Sequence, residues 1–264
     1  MEDITLRAIR ILKEVDLIAC EDTRHTIKLL NYYGITTPRE SYHKHNEASR
    51  SPRLLELIRG GKNIALVSDA GTPLLSDPGR TIVSLCRREE IAVVTIPGPS
   101  AAIAALSGSG LSTENFFFAG FLPAQASLRK RTLQKLASIA ATLVFFESPH
   151  RLLNSLKDMA AILGPRRAGL ARELTKVHEE WIMGTLAEII DQLKTQPKIR
   201  GEITLVVEGG EVVAVWSKWP VSLKQHLEEE MQRSGTTPNQ ALKSVAKQRG
   251  ITRKKAYTQL LQEK

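Results

Sequence analysis

The chain has 264 residues, with 42% apolar and 25% charged residues and a net charge of +9. That length and composition exclude a disordered or fibrous chain and leave room for about two domains with real cores. No apolar run reaches the roughly 18 residues of a membrane helix. Met1 is followed by Glu2 and Asp3, so no signal peptide opens the chain.

Taken in order, the elements alternate between helix and strand. Asp3 is placed to cap a helix whose apolar positions Leu6, Ile9, Leu12 and Val15 recur at helical spacing. Asp16 to Cys20 reads as a short buried strand, and a helix follows from Thr23 to Tyr33 and stops at Gly34. Asn46 caps a third helix, ended by Gly60-Gly61. Lys62–Ser68 is a strand, Thr81–Arg88 a helix and Ile91–Ile96 another strand. Such alternation predicts a mostly parallel sheet covered by helices. Ser107-Gly108-Ser109-Gly110 is the natural joint to a second domain. Beyond it lie the aromatic strand Phe116–Phe118, a basic helix, the strand Thr142–Phe146 and a helix from Ser148. The strands Ala168–Arg172, Glu179–Met183 and Glu202–Val207 complete a second α/β domain with room for antiparallel pairing. After Gly209-Gly210 the pattern is helical. The expected domains are 1–108, 109–210 and 216–264. Cys20 and Cys86 are far apart in apolar surroundings and read as buried thiols of a reducing compartment.

In open α/β sheets, ligands bind beyond the carboxyl ends of the strands. Four loops there have unusual composition. The first is Ser68-Asp69-Ala70-Gly71-Thr72-Pro73, closing with Ser76-Asp77-Pro78-Gly79. Gly71 allows a ligand close to the backbone, and Asp69 offers a carboxylate. Asp77 is expected to cap the next helix with Pro78 at its first position. The second loop, Pro97-Gly98-Pro99-Ser100-Ala101, leads small residues into a helix start; it serves equally as a ligand loop or a plain turn. The third, Glu21-Asp22-Thr23-Arg24-His25, crowds charge at one strand end, and Asp22 or Thr23 is equally suited to capping. In the fourth, Glu147-Ser148-Pro149-His150-Arg151, Ser148 fits a cap and Pro149 the first helical position, with His150 and Arg151 facing an anion site or solvent. Neither GxGxxG nor GxxxxGK[ST] occurs, which argues against nicotinamide and triphosphate cofactors. No His/Cys/Asp cluster has metal-ligand spacing, so no catalytic metal is expected.

The segments Glu21–His25, Ser68–Gly79, Pro97–Ala101, Phe146–Arg151 and Ala171–Lys176 occur in an order and spacing that resemble the ribosomal RNA small-subunit methyltransferase I family, a branch of the tetrapyrrole-methylase superfamily. The resemblance covers essentially the whole chain. It implies a two-domain α/β enzyme, a cytoplasmic homodimer, that binds S-adenosylmethionine between its domains. The implied reaction is 2′-O-methylation of a cytidine ribose in the decoding region of 16S ribosomal RNA. By resemblance, Asp69, Ala70, Gly71, Thr72, Pro73 and Leu74 line the cofactor site with Pro97, Pro99, Ser100 and Ala101, and Phe146 and Leu174 complete it. Family members begin with an apolar strand and a Thr-Pro-Ile-Gly-Asn turn ahead of the Glu-Asp that is here Glu2-Asp3. The resemblance therefore implies a sheet without its first strand.

A ribose hydroxyl is a poor nucleophile until it loses its proton, so a base is expected. Glu21, Asp22 and His25 are the candidates, with Glu173 and Lys176 next. Arg24, His150 and Arg151 are candidate phosphate holders. The tail adds an independent argument. Residues 215–264 hold ten Lys or Arg and four Glu, a net +6 of the chain's +9. Ala246, Gly250 and Ile251 resemble the turn of a helix-turn-helix, with Arg253, Lys254 and Lys255 opening the second helix as phosphate contacts. Two other functions compete: methylation of a small tetrapyrrole-type molecule, and RNA binding without catalysis. The basic tail and the Glu21–His25 loop count against the small molecule.

Overall fold

A computed structural model describes residues 1–195, 199–210 and 221–262. Residues 1–209 form one compact unit and residues 210–264 a second.

The first unit opens on helix α1 (Leu6–Glu14), capped by the Thr5 hydroxyl, which accepts from Ala8 N. The cap expected at Asp3 is displaced because Asp3 lies a further two residues before the first helical turn. Strands β1 (Leu17–Cys20), β2 (Arg39–Ser41) and β3 (Ile64–Val67) make a parallel sheet in the order β2-β1-β3. Successive side chains of a strand point to opposite faces, and β1 buries both. Ile18 and Cys20 pack with Leu12, Leu30 and Ile35, while Ala19 packs with Tyr42, Leu54, Leu55, Ile82 and Cys86. The helices α2 (Thr23–Tyr32), α3 (Glu47–Arg59) and α4 (Arg80–Arg88) therefore cover a sheet with no polar face to spare. Both thiols are buried and free.

Residues 91–96, expected as a strand, form none. Ile91 and Val93 do pack on the core beside β3. A strand needs a ladder partner, however, and among the described residues β3 pairs with β1 alone. The segment stays irregular as far as Ser100.

A second sheet follows, built from β4 (Phe116–Phe121), β5 (Thr142–Glu147), β6 (Arg167–Arg172), β7 (Glu180–Thr185) and β8 (Ile203–Val207). Its order is β4-β5-β8-β6-β7, with β4 and β5 parallel and the other pairs antiparallel. Leu143 and Phe145 face a large core shared with α6 (Ala126–Leu136), α7 (Leu152–Leu163) and α8 (Leu186–Lys194). Val144 faces the other way, towards α5 (Ala101–Gly108), with Ala105, Leu106, Ala171 and Val206. Helix α5 thus leads from the Pro97–Ser100 segment directly onto the second sheet.

Helix α7 starts at Leu152, three residues after Pro149, and Ser148 does not cap it. Glu147 takes over the segment instead. Its carboxylate accepts from Ser148 N, Arg151 and Ser155, holding residues 148–151 as a turn.

The second unit has three described helices, α9 (Leu223–Ser234), α10 (Pro238–Gln248) and α11 (Arg253–Gln262). They share a small core of Leu223, Leu242, Val245, Ala246 and Ala256. The turn between α10 and α11 closes through Ile251 N donating to Ala246 O at 2.8 Å. Residues 216–220, 263 and 264 of the expected tail domain lie outside the described residues.

Candidate active site

Within the first unit a cavity of about 740 Å³ opens at the carboxyl end of β3. Loops 68–73 and 96–101 form two of its walls, α1 and α2 a third, and Leu174, Thr175, Lys176 and Glu202 a fourth. Of the twelve residues expected to hold a cofactor, nine line it: Asp69, Ala70, Gly71, Pro73, Pro97, Pro99, Ser100, Ala101 and Leu174. Thr72 acts one step back, its hydroxyl donating to Pro99 O at 3.0 Å and so tying the two loops together. Phe146 packs edge-on against Phe118, 5.0 Å between ring centres, in the cluster that includes Leu174. Leu74 closes over Gly79 rather than facing the cavity. A β-carbon on Gly79 would lie 2.7 Å from Leu74 Cδ1 and 2.5 Å from Leu66 Cδ2, so only glycine fits.

The cavity is flanked by strained backbone. Gly71, Leu74 and Ser76 have φ of 72°, 73° and 76°, and across the cavity Glu173 and Thr175 have φ of 52° and 62°. Positive φ in non-glycine residues persists where surrounding structure imposes it, and it gathers at ligand sites.

Local chemistry sorts the Glu21–His25 loop. Asp22 caps α2, accepting from Arg24 N at 2.8 Å, and its carboxylate also pairs with the Arg24 guanidinium at 2.8 Å. The Arg24 side chain holds Asp22 at a pKa of about 2. Such a carboxylate is a weak base, and Arg24 is paired with it. Glu21 is different. Burial pushes its carboxyl up, and the charge of Asp69 adds to the push. The higher the pKa of a carboxylate, the better it accepts a proton. His25 is exposed and lines the cavity.

Asp77 does not cap α4, which begins at Arg80 with Gly79 as its cap residue. Glu47, at the start of α3, supplies the missing acceptor. Its carboxylate accepts from Gly79 N at 3.3 Å and Thr81 N at 2.7 Å. Asp77 is thereby released from capping and meets Ser68 instead, its carboxyl raised to about 6 by burial and then by the charge of Glu21.

His43 was not among the expected site residues, yet it stands two residues beyond β2. Its Nδ1 is buried without a hydrogen-bond partner. The only sequence signal was a short polar strand without alternation, Arg39-Glu40-Ser41, followed by His43 and His45.

The remaining candidates are held in ion pairs or exposed. Lys176 bridges Glu173 at 3.0 Å and Glu202 at 3.2 Å. Arg151 pairs at 2.7 Å with Glu147, whose side chain is 1% exposed, so Arg151 holds a buried charge. His150 is exposed. In the second unit, Arg253 donates to Asn239 Oδ1 at 3.1 Å, and Lys254 and Lys255 are exposed on the first turn of α11. Among the described residues no three His, Cys, Asp or Glu side chains are grouped so as to hold a metal ion, and no helix is long and apolar enough to cross a membrane.

Comparison with known proteins adds a second line. The family model of tetrapyrrole (corrin/porphyrin) methylases matches residues 1–190. The chain is 47% identical to ribosomal RNA small subunit methyltransferase I of Halalkalibacterium halodurans, over 100% of this chain and 91% of that protein. It is 44% identical to the protein of the same name in Bacillus subtilis, over 97% of this chain and 89% of that one. Among solved structures, uroporphyrin-III C-methyltransferase from Thermus thermophilus superposes with a TM-score of 0.55 at 21% identity, covering 82% of this chain and 92% of that one. The same enzyme has been solved in complex with S-adenosyl homocysteine. Cobalt precorrin-4 methyltransferase superposes with a TM-score of 0.58 at 17% identity, over 78% of this chain and 89% of that one. At those identities the structural matches speak to the fold alone.

Proposed function

Since the chain belongs to the ribosomal RNA small subunit methyltransferase I family of the tetrapyrrole methylases, we propose that it methylates 16S ribosomal RNA from S-adenosylmethionine, at the ribose 2′-hydroxyl of a cytidine in the decoding region. The observation that carries this reading is the match to those relatives along nearly the whole chain, with loops 68–73 and 96–101 and residues 174–176 gathered around one cavity.

The cavity suits the cofactor. Its volume lies within the roughly 300–1,000 Å³ of small-molecule sites, and it mixes apolar walls with a few polar groups. Asp69, Ala70, Gly71 and Pro73 would hold it from one side, Pro97, Pro99, Ser100 and Ala101 from the other, and Leu174 across the cavity. Thr72 fixes the spacing of the two loops, and Leu74 and Phe146 support their walls. When bound, S-adenosylmethionine supplies a methyl carbon made electrophilic by its sulfonium.

The chain's own residues have two tasks. They must hold the hydroxyl in line with that carbon, which is worth most of the acceleration, and they must take its proton. Glu21 fits the second task best of the three candidates in its loop, because it is partly buried and its carboxyl is raised, whereas Asp22 is committed as a cap. Arg24, His150, Arg151 and the start of α11 at Arg253, Lys254 and Lys255 would meet phosphates. A small substrate would need no such basic unit. The enzyme would work in the cytoplasm as a homodimer, which sedimentation would check.

Tritiated methyl transfer to small ribosomal subunits lacking the modification tests the reading. Label recovered in 16S RNA as a 2′-O-methylcytidine supports it. Label recovered only in an added tetrapyrrole, or nowhere, sinks it.

A further inference from the structure

A groove of about 350 Å³ adjoins the cavity at β3 and shares Ala104, Leu174 and Thr175 with it. Its other lining residues are Gly108, Glu179, Trp181 and Met183. Local sequence explains the space. Strand β7 is the last of its sheet, and Trp181 and Met183 stand opposite Ala171 and Gly169 of β6. Ala171 and Trp181 mark this as the face that α5 covers. Residues four apart share one face of a helix, and beside β7 that face of α5 carries only Ala104 and Gly108.

The aromatic and polar groups of the groove are fixed in place. A β-carbon on Gly108 would lie 2.8 Å from Trp181 Cζ2, and one on Gly169 would lie 3.6 Å from Cζ3, so the indole is held against α5 and β6. Its Nε1 donates to Glu179 Oε1 at 3.2 Å, and Thr175 N donates to Oε2 of the same carboxylate at 2.7 Å. Glu179 is exposed, yet both of its oxygens are anchored. Each carboxylate oxygen has a second lone pair, so Glu179 is an oriented acceptor with capacity left. The Thr175 backbone that supplies one donor has φ 62°, a conformation that gathers at ligand sites.

Methylation at a ribose calls for such a neighbour. The 2′-oxygen is only a few bonds from the base, so a pocket for the base must adjoin the methyl donor. Proteins that read single-stranded RNA stack its bases on aromatic side chains and hydrogen-bond their Watson–Crick edges. A carboxylate accepts from the amino group of cytosine. Uracil has a carbonyl there, whose lone pairs would face those of the carboxylate.

We propose that the groove takes the base of the target cytidine: Trp181 stacks on it, and Glu179 accepts from its exocyclic amino group and so selects cytosine over uracil. This rests on the methyl transfer put forward above and adds to it the residue that chooses the base. The ribose then lies over the shared wall of Ala104, Leu174 and Thr175, with its hydroxyl towards the larger cavity.

The test uses small ribosomal subunits rebuilt on 16S transcripts with cytidine or uridine at the position that receives the label. Single-turnover methyl transfer at saturating S-adenosylmethionine is measured on both, for the full parent chain, Glu179→Gln and Glu179→Ala. The parent should favour cytidine by about tenfold or more. Glu179→Ala should lose most of that preference by slowing on cytidine. Glu179→Gln should lose it while gaining on uridine, because its amide N–H can meet the carbonyl. Trp181→Leu should raise the subunit concentration for half-maximal rate by about fivefold or more. Glu179 is exposed, so its variants decide the matter even where Trp181→Leu, in a packed cluster, does not fold. Calorimetry should show unchanged S-adenosylmethionine affinity in both Glu179 variants. Equal slowing on the two substrates, as a merely structural carboxylate would give, overturns base selection and leaves the methyl transfer standing. A tenfold loss of cofactor affinity overturns it too, by giving the groove to the cofactor, as does a change in sedimentation with the preference intact, by giving the groove to a second copy of the chain. A parent chain that labels neither substrate overturns the methyl transfer and base selection with it.

Discussion

Asp77 carries a cost that can be measured. Burial and the charges of Glu21, Asp69 and Glu202 raise it to about 6 from 3.8, with a hydrogen bond from Ser68 pulling the other way. A raised carboxyl favours the folded state only while it is protonated. Its contribution is complete below pH 3.8 and is lost as pH rises through about 6. Asp77→Asn keeps the neutral form at every pH. The variant should match the parent near pH 3.5 and gain roughly 2–4 °C in melting temperature by pH 7, a difference that thermal melts across pH would read. A constant gap at all pH values would place the strain elsewhere. Asp22 has the opposite sign. Its lowered pKa makes it stabilising above 3.8 and less so as pH falls through about 2. Asn caps as well as Asp does but loses the ion pair with Arg24, so Asp22→Asn should leave turnover near the parent at pH 7 and lower the melting temperature slightly, while Glu21→Gln should lose on the order of a hundredfold in single-turnover rate. Equal losses in the two variants would return the base assignment to the whole loop. The sequence showed that this loop was crowded with charge but left capping and catalysis equally open. The choice between them depends on burial and on Asp69, both of which come from outside the segment.

At the scale of elements, what was legible was local. The helix from Thr23, the strand before Ser68 and the turn at Gly250 follow from spacing and capping residues close in sequence, whereas Asn46 stands at the start of α3 with its side chain accepting from His43 N and capping nothing. What was not legible depended on distant partners. Residues 91–96 have strand composition but no described ladder partner, and α4 is capped by Glu47 from 32 and 34 residues away. Asp77-Pro78 looked like a cap because no local pattern announces a competing carboxylate from another helix. The Glu47 carboxyl is held low because its backbone hydrogen bonds to Thr81 and Gly79 outweigh the burial that pushes it up. Glu47→Ala should therefore cost about 1–2 kcal/mol in urea unfolding at neutral pH. Hydrogen exchange at the Thr81 amide should quicken, and cofactor affinity should fall, because the same bond anchors the end of loop 68–79. Unchanged exchange at Thr81 would mean that the cap is not formed in solution. Gly71 tests the other end of that loop. At φ 72° a β-carbon would meet only Pro99 O at 3.8 Å, so room is not the constraint; backbone angle is. Gly71→Val, with a β-branched residue in the left-handed region, should weaken S-adenosylmethionine binding tenfold or more by calorimetry. Its melting temperature should fall only slightly.

At the scale of the whole molecule, the charge is divided unevenly. The first unit contains both sheets, their cores and the cavity. The second has a core of its own, and its stretch from residue 215 onwards carries +6 of the chain's +9. Cofactor and RNA should accordingly separate when the chain is cut after Gly209. The truncated chain keeps every residue lining the cavity, so its affinity for S-adenosylmethionine should stay within about twofold of the parent. RNA binding should behave differently. Each phosphate neutralised by a lysine or arginine releases counterions, and the logarithm of affinity falls with the logarithm of salt by about 0.7–0.9 per contact. If Arg253, Lys254, Lys255 and their neighbours supply several such contacts, the full chain should show a steep salt dependence and the truncated chain one shallower by about two to four in slope. Binding measured by filter retention at five or more salt concentrations would give both slopes. Equal slopes, with affinity lost all the same, would mean that the helical unit supports the RNA site by shape and leaves the phosphate contacts to the first unit.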